Sequence, residues 1–413
     1  MIKPVYIFVT PYFPRPESWT GGFCYDFVRA LKRIGGYDVR VFVNDKSHRH
    51  CGKDYEYHGI KVCRFVYRRL PFNIAPFLFE GSNRKSFLDK VASMGIDWKN
   101  VAVFHAHDIH MAPLVESVKR KFPQIVSVWH CHNMGHPFHL SCGRLGVIPG
   151  YSTLYYFWLR KHFERIDLPV FVSRRQRDMF GKWYPEGFLG ASVDVVKGLW
   201  GGKFIRSVEL KSSYVCYNGI DYSVFNAKGR DDRHDAAVFR IGFVANMVAT
   251  KDPMTLLRAV NRLKIDPELN GLQGWECIFV GSGAELPRCR RYVEENGLDR
   301  IVRFRTEMDH LELPDFYRSL DLFVSPSWAE GFCCTFVEAH GCGVPIIGCT
   351  GVSVDECFSK DEQDRWLFPP KDDATLAQKI KWFYQKRPRQ TFIDRFDIDE
   401  IVGDFVKKIE SIS

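Results

Sequence analysis

The sequence lacks the features of membrane-spanning and disulfide-stabilised proteins. No apolar run approaches the roughly 18 residues that a membrane helix needs. The first apolar run, Val5 to Val9, is shorter than the core of a signal peptide, about 7 residues or more, so it is predicted to be the first strand. The thirteen cysteines are scattered without the spacing of a disulfide framework, which favours a reducing cytoplasm. The chain also lacks fixed-period repeats and low-complexity tracts.

The chain does have enough apolar residues for two domains. Its 413 residues, 46% of them apolar, suffice for two cores in domains of about 200 residues each. Short apolar runs at residues 101–104 and 125–129 alternate with helical patterns, which predicts an α/β fold with parallel sheets and right-handed crossovers. We expect domains at residues 1–215 and 216–390, and a C-terminal helix at residues 391–413.

Charge is unevenly shared between the two halves of the chain. Residues 1–215 carry 32 Lys and Arg against 17 Asp and Glu, whereas residues 216–413 carry 26 against 32. Basic residues mix with aromatics at residues 64–72 and 155–163, a pattern that suits peripheral contact with an anionic membrane. A solvated basic face over core aromatics is the alternative. Nucleic acid is not expected as a partner, because no zinc-finger spacing or RNA-binding signature accompanies the charge.

The most informative segment is residues 325–345, SPSWAEGFCCTFVEAHGCGVP. It follows an apolar run, Leu322 to Val324, that predicts a buried strand, and its second half continues at helical spacing. In open α/β sheets, ligands bind beyond the carboxyl ends of strands, where N–H groups at the start of the next helix hold an anion. Glu330 in the loop and Glu338 in the helix would then face the two ends of a bound ligand.

This segment resembles the donor-site motif of the retaining glycosyltransferases of family 4, the glycosyl transferases group 1, in which two glutamates separated by seven residues follow a Pro-Ser strand end. Residues 215–221, 241–259 and 279–283 are similar to further segments of the family, in the family's order. The resemblance implies the GT-B architecture, in which two Rossmann-like parallel-sheet domains face each other across a cleft. The first domain would bind the acceptor and the second the nucleotide sugar, and the C-terminal helix would cross back to the first.

The resemblance also implies roles for the donor-side residues. Lys251 would be the main cation at the phosphates and Glu330 would lie beside the transferred sugar, both as catalytic residues, while Glu338 would accept hydrogen bonds from the ribose hydroxyls. The other expected donor-binding residues are Phe332, Cys333, Cys334, Thr335, Asn246, Gly281, Gly283, Gly21 and Gly22. No metal or other cofactor is expected, because fixed charges and helix N-terminal N–H groups would stabilise the leaving nucleoside diphosphate.

One position departs from the family pattern. Asn246 stands five residues before Lys251, where the family usually has an arginine. Asparagine donates a hydrogen bond but carries no charge, so either another base substitutes or phosphate binding is weaker. The candidate substitutes are Arg240, Arg303 and Arg305.

On the acceptor side, polar residues follow two predicted strands. His130 resembles the histidine that many family members place over the donor sugar, so it is expected to be catalytic and to contact the acceptor. His105, His107 and Asp108 end the preceding strand and are expected to help hold the acceptor. His130 and His132 together invite a metal interpretation, but no pair with the spacing of zinc ligands accompanies them, so no metal site is predicted.

Three functions are consistent with these features. The favoured one is a retaining, metal-independent glycosyltransferase that moves a sugar from a nucleotide sugar to a glycan or lipid-linked acceptor, in the cytoplasm or at the membrane surface. A nucleotide-sugar epimerase of the same architecture and a catalytically inactive sugar-nucleotide or glycan-binding protein are the alternatives. The basic first half favours transfer to a large anionic or membrane-borne acceptor, and the complete pair of donor-site glutamates disfavours an inactive protein.

Overall fold

The computed structural model describes residues 3–16, 18–45, 52–68, 76–132, 162–186, 212–230, 238–306 and 308–412. The chain divides into two compact units. The first comprises Met1–Gly219 together with Ile398–Ser413, and the second comprises Ile220–Asp397. Each unit has its own sheet, with helices on the connections between strands.

The first unit is built on an eight-stranded sheet. Its strands are β1 Val5–Thr10, β2 Asp38–Asp45, β3 Tyr55–Tyr57, β4 Ile60–Val66, β5 Val101–His107, β6 Val126–Cys131, β7 Leu168–Phe171 and β8 Tyr214–Val215. They lie in the order β3-β4-β2-β1-β5-β6-β7-β8. Every pairing is parallel except that of β3 with β4. The central strands are apolar on both faces because both faces are covered, as expected for a parallel sheet.

Within the described ranges of this unit, four α-helices follow strands of the sheet. They are α1 Gly22–Ile34, α2 Glu80–Ser93, α3 Ala112–Lys121 and α4 Arg174–Glu186. α1 buries Phe27, Val28 and Leu31 because these positions recur on one face of the helix. It ends at Gly35, whose positive φ of 81° suits glycine and whose N–H donates to the Leu31 carbonyl. Gly35 therefore terminates α1.

The second unit contains a six-stranded parallel sheet. Its strands are β9 Phe239–Val244, β10 Trp275–Val280, β11 Val302–Arg305, β12 Leu322–Ser325, β13 Ile346–Cys349 and β14 Leu367–Phe368, in the order β11-β10-β9-β12-β13-β14. The helices are α5 Pro253–Lys264, α6 Leu286–Glu295, α7 Leu313–Arg318, α8 Cys334–Gly341, α9 Lys360–Trp366 and α10 Asp373–Lys386. Because all six strands are parallel, the loops that follow them emerge at one edge of the sheet.

The last helix, α11, spans Ile398–Glu410 and belongs to the first unit. Its apolar face packs on α1, where the rings of Phe405 and Phe27 lie edge to face at 5.5 Å. Arg33 and Asp399 add an exposed ion pair at 2.6 Å. The chain thus returns to the first sheet after completing the second.

The predicted α/β fold class with two parallel sheets is confirmed. Among the described residues, no helix combines the length and hydrophobicity required to cross a bilayer. All cysteines within the described ranges are free thiols, and most are buried.

Candidate active site

The loops at the carboxyl edge of the second sheet carry the residues singled out by sequence. The loop after β9 contains Asn246 and Lys251, the loop after β10 begins with Gly281, and the loop after β12 contains Glu330 and leads into α8 with Glu338. Parallel pairing of β9 with both β10 and β12 places these loops side by side. Residues that are more than 90 positions apart in sequence therefore meet at one edge.

Lys251 and Glu330 form an ion pair. Lys251 ends a short 3-10 helix, Ala249–Lys251, and its Nζ donates to Oε1 of Glu330. The Glu330 side chain is only 4% exposed, against 21% for Lys251. Burial would lower the pKa of Lys251, but the adjacent Glu330 carboxylate outweighs burial and the pKa is raised above its usual value. The lysine is therefore a fixed cation at neutral pH.

Trp328 joins the loop of Lys251 to the loop of Glu330. Its backbone N–H donates to the Thr250 carbonyl at 3.1 Å, and its indole Nε1–H donates to the Ala249 carbonyl at 2.9 Å. On the exposed side, the ammonium of Lys371 lies 5.2 Å from the centre of the indole ring. Two hydrogen bonds from one residue thus hold the lysine-bearing turn in place.

Glu338 lies within α8 and is almost fully buried, with 8% exposure. The hydroxyl of Tyr317, on α7, donates to Oε2 of Glu338 at 2.9 Å. Burial and the neighbouring carboxylate raise the pKa of Tyr317 well above its usual value, so the phenol remains a donor. Tyr317 fixes the orientation of this carboxylate.

The start of α8 presents the other residues predicted to bind the donor. Phe332 and Cys333 are buried, whereas Cys334 and Thr335 are half-buried. The first N–H groups of a helix have no partner within the helix and favour anions. Burial, reinforced by Glu330, raises the pKa of Cys333 despite the opposing charge of Lys251. Cys333 is therefore a neutral packing residue and not an activated thiol.

The glycines after β10 let two loops approach each other. A Cβ on Gly281 would lie 2.0 Å from the Ala245 carbonyl oxygen, and one on Gly283 would lie 2.4 Å from the Met247 carbonyl oxygen. Both glycines have positive φ, 129° and 154°. They therefore pack directly against the backbone on either side of Asn246, whose side chain is exposed.

Three arginines were considered as replacements for the cation that is missing at Asn246, and they differ in where they lie on the sheet. Arg240 lies at the amino end of β9, where its Nε donates to Glu276 at 3.2 Å. Arg303 donates to the Asp299 carbonyl. Arg305 is exposed, ends β11 and accepts a 2.8 Å hydrogen bond at its carbonyl from the Gly281 N–H. Arg305 alone among the three ends its strand beside the glycine loop.

In the first unit, Gly21 and Gly22 open α1. Gly21 has φ 89°, and a Cβ there would lie 2.5 Å from the Tyr12 carbonyl carbon. A Cβ on Gly22 would lie 2.1 Å from the indole nitrogen of Trp19. Packing against the preceding loop therefore accounts for both glycines, and their role at the donor phosphate stays a prediction.

Four histidines meet at the ends of β5 and β6. His107 and His130 are register partners in adjacent strands, and both are 1% exposed. His105 Nε2 lies 3.2 Å from His130 Nδ1, and His107 Nδ1 lies 2.8 Å from His132 Nε2. The hydroxyl of Tyr6 lies 2.7 Å from Nδ1 of His105. The structure thus brings together His105, His107, His130 and His132, all of which were singled out from the sequence.

Asp108 follows this cluster with a backbone φ of 82°. Its carboxylate accepts from the Tyr12 hydroxyl at 3.3 Å, and its carbonyl accepts from the Trp129 indole at 2.8 Å. The acceptor roles expected for Asp108, His107 and His130 stay predictions. These residues belong to the first unit, whereas Lys251, Glu330 and Glu338 belong to the second.

The basic segments are described only in part. Within residues 64–72, the Arg64 guanidinium pairs with Asp45 at 2.5 Å and is largely shielded from solvent. Residues 69–75 and most of residues 155–163 lie outside the described residues. Arg64 therefore does not contribute a free cation to a surface.

A family model identifies the second unit. The model of glycosyl transferases group 1 matches residues 238–386, which lie entirely within that unit and include Lys251, Glu330 and Glu338. This segment is a group 1 glycosyltransferase domain. The sequence resemblance to that family is therefore confirmed.

Curated relatives match about a quarter of this chain. The D-inositol 3-phosphate glycosyltransferase of Corynebacterium jeikeium is 35% identical over 112 residues, which are 26% of this chain and 26% of the relative. The GtfA subunit of the UDP-N-acetylglucosamine peptide N-acetylglucosaminyltransferase of Streptococcus gordonii is 31% identical over 108 residues, 26% of this chain and 21% of the relative. The aligned segments thus span about a quarter of these relatives.

Solved structures resemble the whole chain. Sucrose-phosphate synthase of Thermosynechococcus elongatus aligns with a TM-score of 0.65 and 16% identity over 99% of this chain and 96% of that structure. HepE of Anabaena, solved with UDP and glucose, aligns with a TM-score of 0.64 and 16% identity over 98% of this chain and 100% of that structure. These likenesses show the fold, and both units have the Rossmann-like sheets of the GT-B class.

Sequence reasoning gave no role to two residues that shape the site. They are Tyr317 and Trp328, which contact Glu338 and the Lys251 turn respectively. Trp328 lies inside the segment of residues 325–345, so the sequence motif itself placed it near the site. Tyr317 lies on a different helix from Glu338, and no local pattern pairs the two.

Proposed function

We propose that this chain is a retaining, metal-independent glycosyltransferase that transfers a sugar from a nucleotide-sugar donor to a glycan or lipid-linked acceptor in polysaccharide or glycoconjugate biosynthesis. The observation that carries this proposal is the shared position of Lys251, Glu330 and Glu338 at the carboxyl edge of the second sheet. Two carboxylates and one cation beside the start of α8 match the needs of a donor with a diphosphate between a ribose and a sugar.

The phosphate end of the donor would be stabilised by fixed positive groups. As the glycosidic bond breaks, negative charge develops on the β-phosphate oxygen. The Lys251 ammonium and the first N–H groups of α8 would stabilise that charge, and such preorganised groups reduce barriers most in sites that exclude water. This arrangement supplies the positive charge that a metal ion supplies in other transferases.

The two carboxylates would act at opposite ends of the donor. Glu338, oriented by Tyr317, would accept hydrogen bonds from the ribose hydroxyls. Glu330 would face the sugar once the Lys251 ammonium turns to phosphate, and there it would orient hydroxyls or stabilise positive character at the anomeric carbon. Donor binding therefore exchanges the ion pair of Lys251 with Glu330 for a pair between Lys251 and phosphate.

Substitutions at these residues test the donor site. Lys251→Ala is expected to lower kcat by about 100-fold or more, the usual effect of removing one group that stabilises transition-state charge. Glu338→Ala is expected to weaken nucleotide binding by about 10-fold or more, because it removes a charged acceptor. Calorimetry with nucleoside diphosphates and initial rates would measure both effects. Lys264→Gln, at the far end of α5, is the matched control.

Assays with and without acceptor separate transfer from the alternatives. A panel of nucleotide sugars is screened by thermal shift, and nucleotide release is then followed with the donor that raises Tm. Transfer predicts release that rises with added acceptor, formation of a product that retains the anomeric configuration, and activity that survives EDTA. Acceptor-independent release would indicate an epimerase or hydrolase, and binding without release would indicate an inactive binding protein.

A further inference from the structure

The histidine cluster of the first unit has the composition of a metal site. One ring nitrogen from each of His105, His107 and His130 lies within 4.8 Å of the other two, and all three residues are buried. The pair His105 Nε2 and His130 Nδ1 is 3.2 Å apart. Two imidazole nitrogens bound to one tetrahedral zinc at about 2.0–2.1 Å lie about 3.4 Å from each other. The third ring would therefore need to move by at most about 1.5 Å.

Buried nitrogens without partners point the same way. Within the described part of the chain, Nε2 of His107 and Nδ1 of His132 are buried and make no hydrogen bond. Leaving a buried polar atom unpaired costs about 1–3 kcal/mol, so two such atoms on adjacent rings call for a ligand. A metal ion bound by His107 Nε2 would remove one of these costs directly.

We propose that His105, His107 and His130 bind a transition-metal ion, with zinc as the occupant. Imidazole nitrogens suit zinc among the common divalent ions, and three of them with a fourth position for water form a recurrent donor set. The three histidines belong to the first unit, whereas Lys251, Glu330 and Glu338 belong to the second.

The surroundings supply an acceptor for the second nitrogen of each ring. With His105 bound through Nε2, its Nδ1–H donates to the Tyr6 oxygen at 2.7 Å. With His107 bound through Nε2, its Nδ1–H donates to His132 Nε2 at 2.8 Å. The backbone of Cys216 lies beside His130 and serves its ring. Such outer partners fix the tautomer and orientation of metal-bound histidines.

This proposal and the proposed function can fail separately. The metal site predicts metal content and spectra, whereas transfer predicts donor binding and turnover. The two meet at residues of the cluster that were expected to hold the acceptor, among them His107 and His130, for which metal binding is an alternative to contact with the acceptor. Dialysis of the protein against EDTA should leave donor binding, which uses residues of the second unit, unchanged. The metal content of the protein should fall.

The test uses the full chain without a histidine tag. The protein is dialysed against EDTA, returned to metal-free buffer and titrated with Zn²⁺ or Co²⁺ alone. We expect one equivalent of metal to bind, a rise in Tm, and visible absorption bands of four- or five-coordinate cobalt. His105→Gln, His107→Gln and His130→Gln should each lose the cobalt bands. His58→Asn, which removes an exposed histidine of the same unit and suits its positive φ of 44°, should keep them.

A measurement on the unmodified protein covers the case in which these variants fail to fold. X-ray absorption of the zinc-loaded chain should show imidazole scattering with Zn–N distances of about 2.0–2.1 Å. His132→Gln changes an outer partner and should weaken zinc binding by about 10- to 100-fold without abolishing the cobalt bands. Absence of stoichiometric metal binding, a spectrum without imidazole, or bands that persist in all three ligand variants would overturn the proposal.

Discussion

At the scale of single residues, the proposed donor site is held by partners that differ in kind. Lys251 is paired with a carboxylate that it would exchange for phosphate, whereas Glu338 has a neutral phenol as a partner. A charged pair that separates on binding costs free energy, and a neutral donor beside a carboxylate does not compete for the ligand's charge. Under the proposed function, the ribose end would therefore be preorganised, whereas the phosphate end would exchange its ion pair on binding.

Arg305 is the arginine expected to replace the missing cation at Asn246. Because β11 ends beside the glycine loop, Arg305→Ala should weaken binding of a nucleoside diphosphate by about 10-fold, as expected for loss of one charge-assisted hydrogen bond. Arg240→Ala, at the opposite end of the sheet, should leave the Kd unchanged. Calorimetric titration of both variants measures the difference. Equal Kd values for Arg305→Ala and the unmodified protein would remove Arg305 from the site.

His340 should make the second unit less stable in acid. Burial lowers the pKa of His340 to about 4, while Asp394 opposes that shift, so the unfolded chain binds more protons than the native chain between pH 6.5 and 4. The stability that neutral His340 contributes is present above pH 6.5 and is lost as the pH falls towards 4. From pH 7 to pH 5 the expected loss is about 1–2 kcal/mol.

Denaturant unfolding at the two pH values measures this loss. The ring of His340 stacks on Phe392 at 3.6 Å, so His340→Phe preserves an aromatic contact while removing the titrating group. This variant should lose less stability between pH 7 and pH 5 than the unmodified protein. A pH dependence identical to that of the unmodified protein would show that His340 does not titrate on unfolding.

At the scale of elements, loops at one sheet edge are linked by few contacts. Besides the ion pair of Lys251 with Glu330, Trp328 links the 3-10 helix Ala249–Lys251 to the segment that carries Glu330. The indole is 36% exposed, so it contributes through hydrogen bonding more than through burial. Loss of these hydrogen bonds would change the position of Lys251, because Lys251 is the last residue of the short helix.

Trp328→Phe removes the indole hydrogen bond and keeps both an aromatic ring and the backbone hydrogen bond. One hydrogen bond contributes about 1 kcal/mol, so turnover should fall about five-fold as Lys251 becomes less well positioned. Lys371→Asn is the control, because it removes the cation over the ring and suits the positive φ of 63°. Steady-state rates would measure both. If Lys371→Asn lowered turnover as much as Trp328→Phe, the effect would be assigned to the contact between the Lys371 cation and the indole ring and not to the indole hydrogen bond.

Several elements were predictable from local pattern and one was not located correctly. The first strand and the strand before the glutamate segment both lie where the apolar runs predict them. The C-terminal helix was expected from residue 391, but it begins at Ile398. Residues before it extend along the second unit, where the Ile220 N–H donates to the Phe396 carbonyl, so backbone pairing replaces helix there.

At the scale of the whole molecule, charge divides with the chain. The first half carries the basic excess, and the second half, which holds the group 1 glycosyltransferase domain, is acidic. We propose that the basic half contacts an anionic membrane that carries the acceptor. Ion pairs such as Arg64 with Asp45 and Lys90 with Asp54 reduce the number of free cations within the described ranges.

Flotation with anionic liposomes tests this contact. The protein should float with the vesicles at low salt and be released at high salt, because salt screens surface attraction within about 10 Å at 0.1 M and about 3 Å at 1 M. Neutral liposomes of equal size are the control. Absence of flotation at low salt would assign the basic residues to a solvated face.

The sequence by itself determined the α/β class, the glycosyltransferase segment and the identities of Lys251, Glu330 and Glu338, because apolar periodicity, glycines and motif order are local properties of the chain. Only the tertiary structure decided the partners: Lys251 with Glu330, Tyr317 with Glu338, and His105 with His130. Each pair joins residues between 21 and 79 positions apart. Such pairs form because parallel strands bring separate loops to one edge, and no local pattern encodes which side chains meet there.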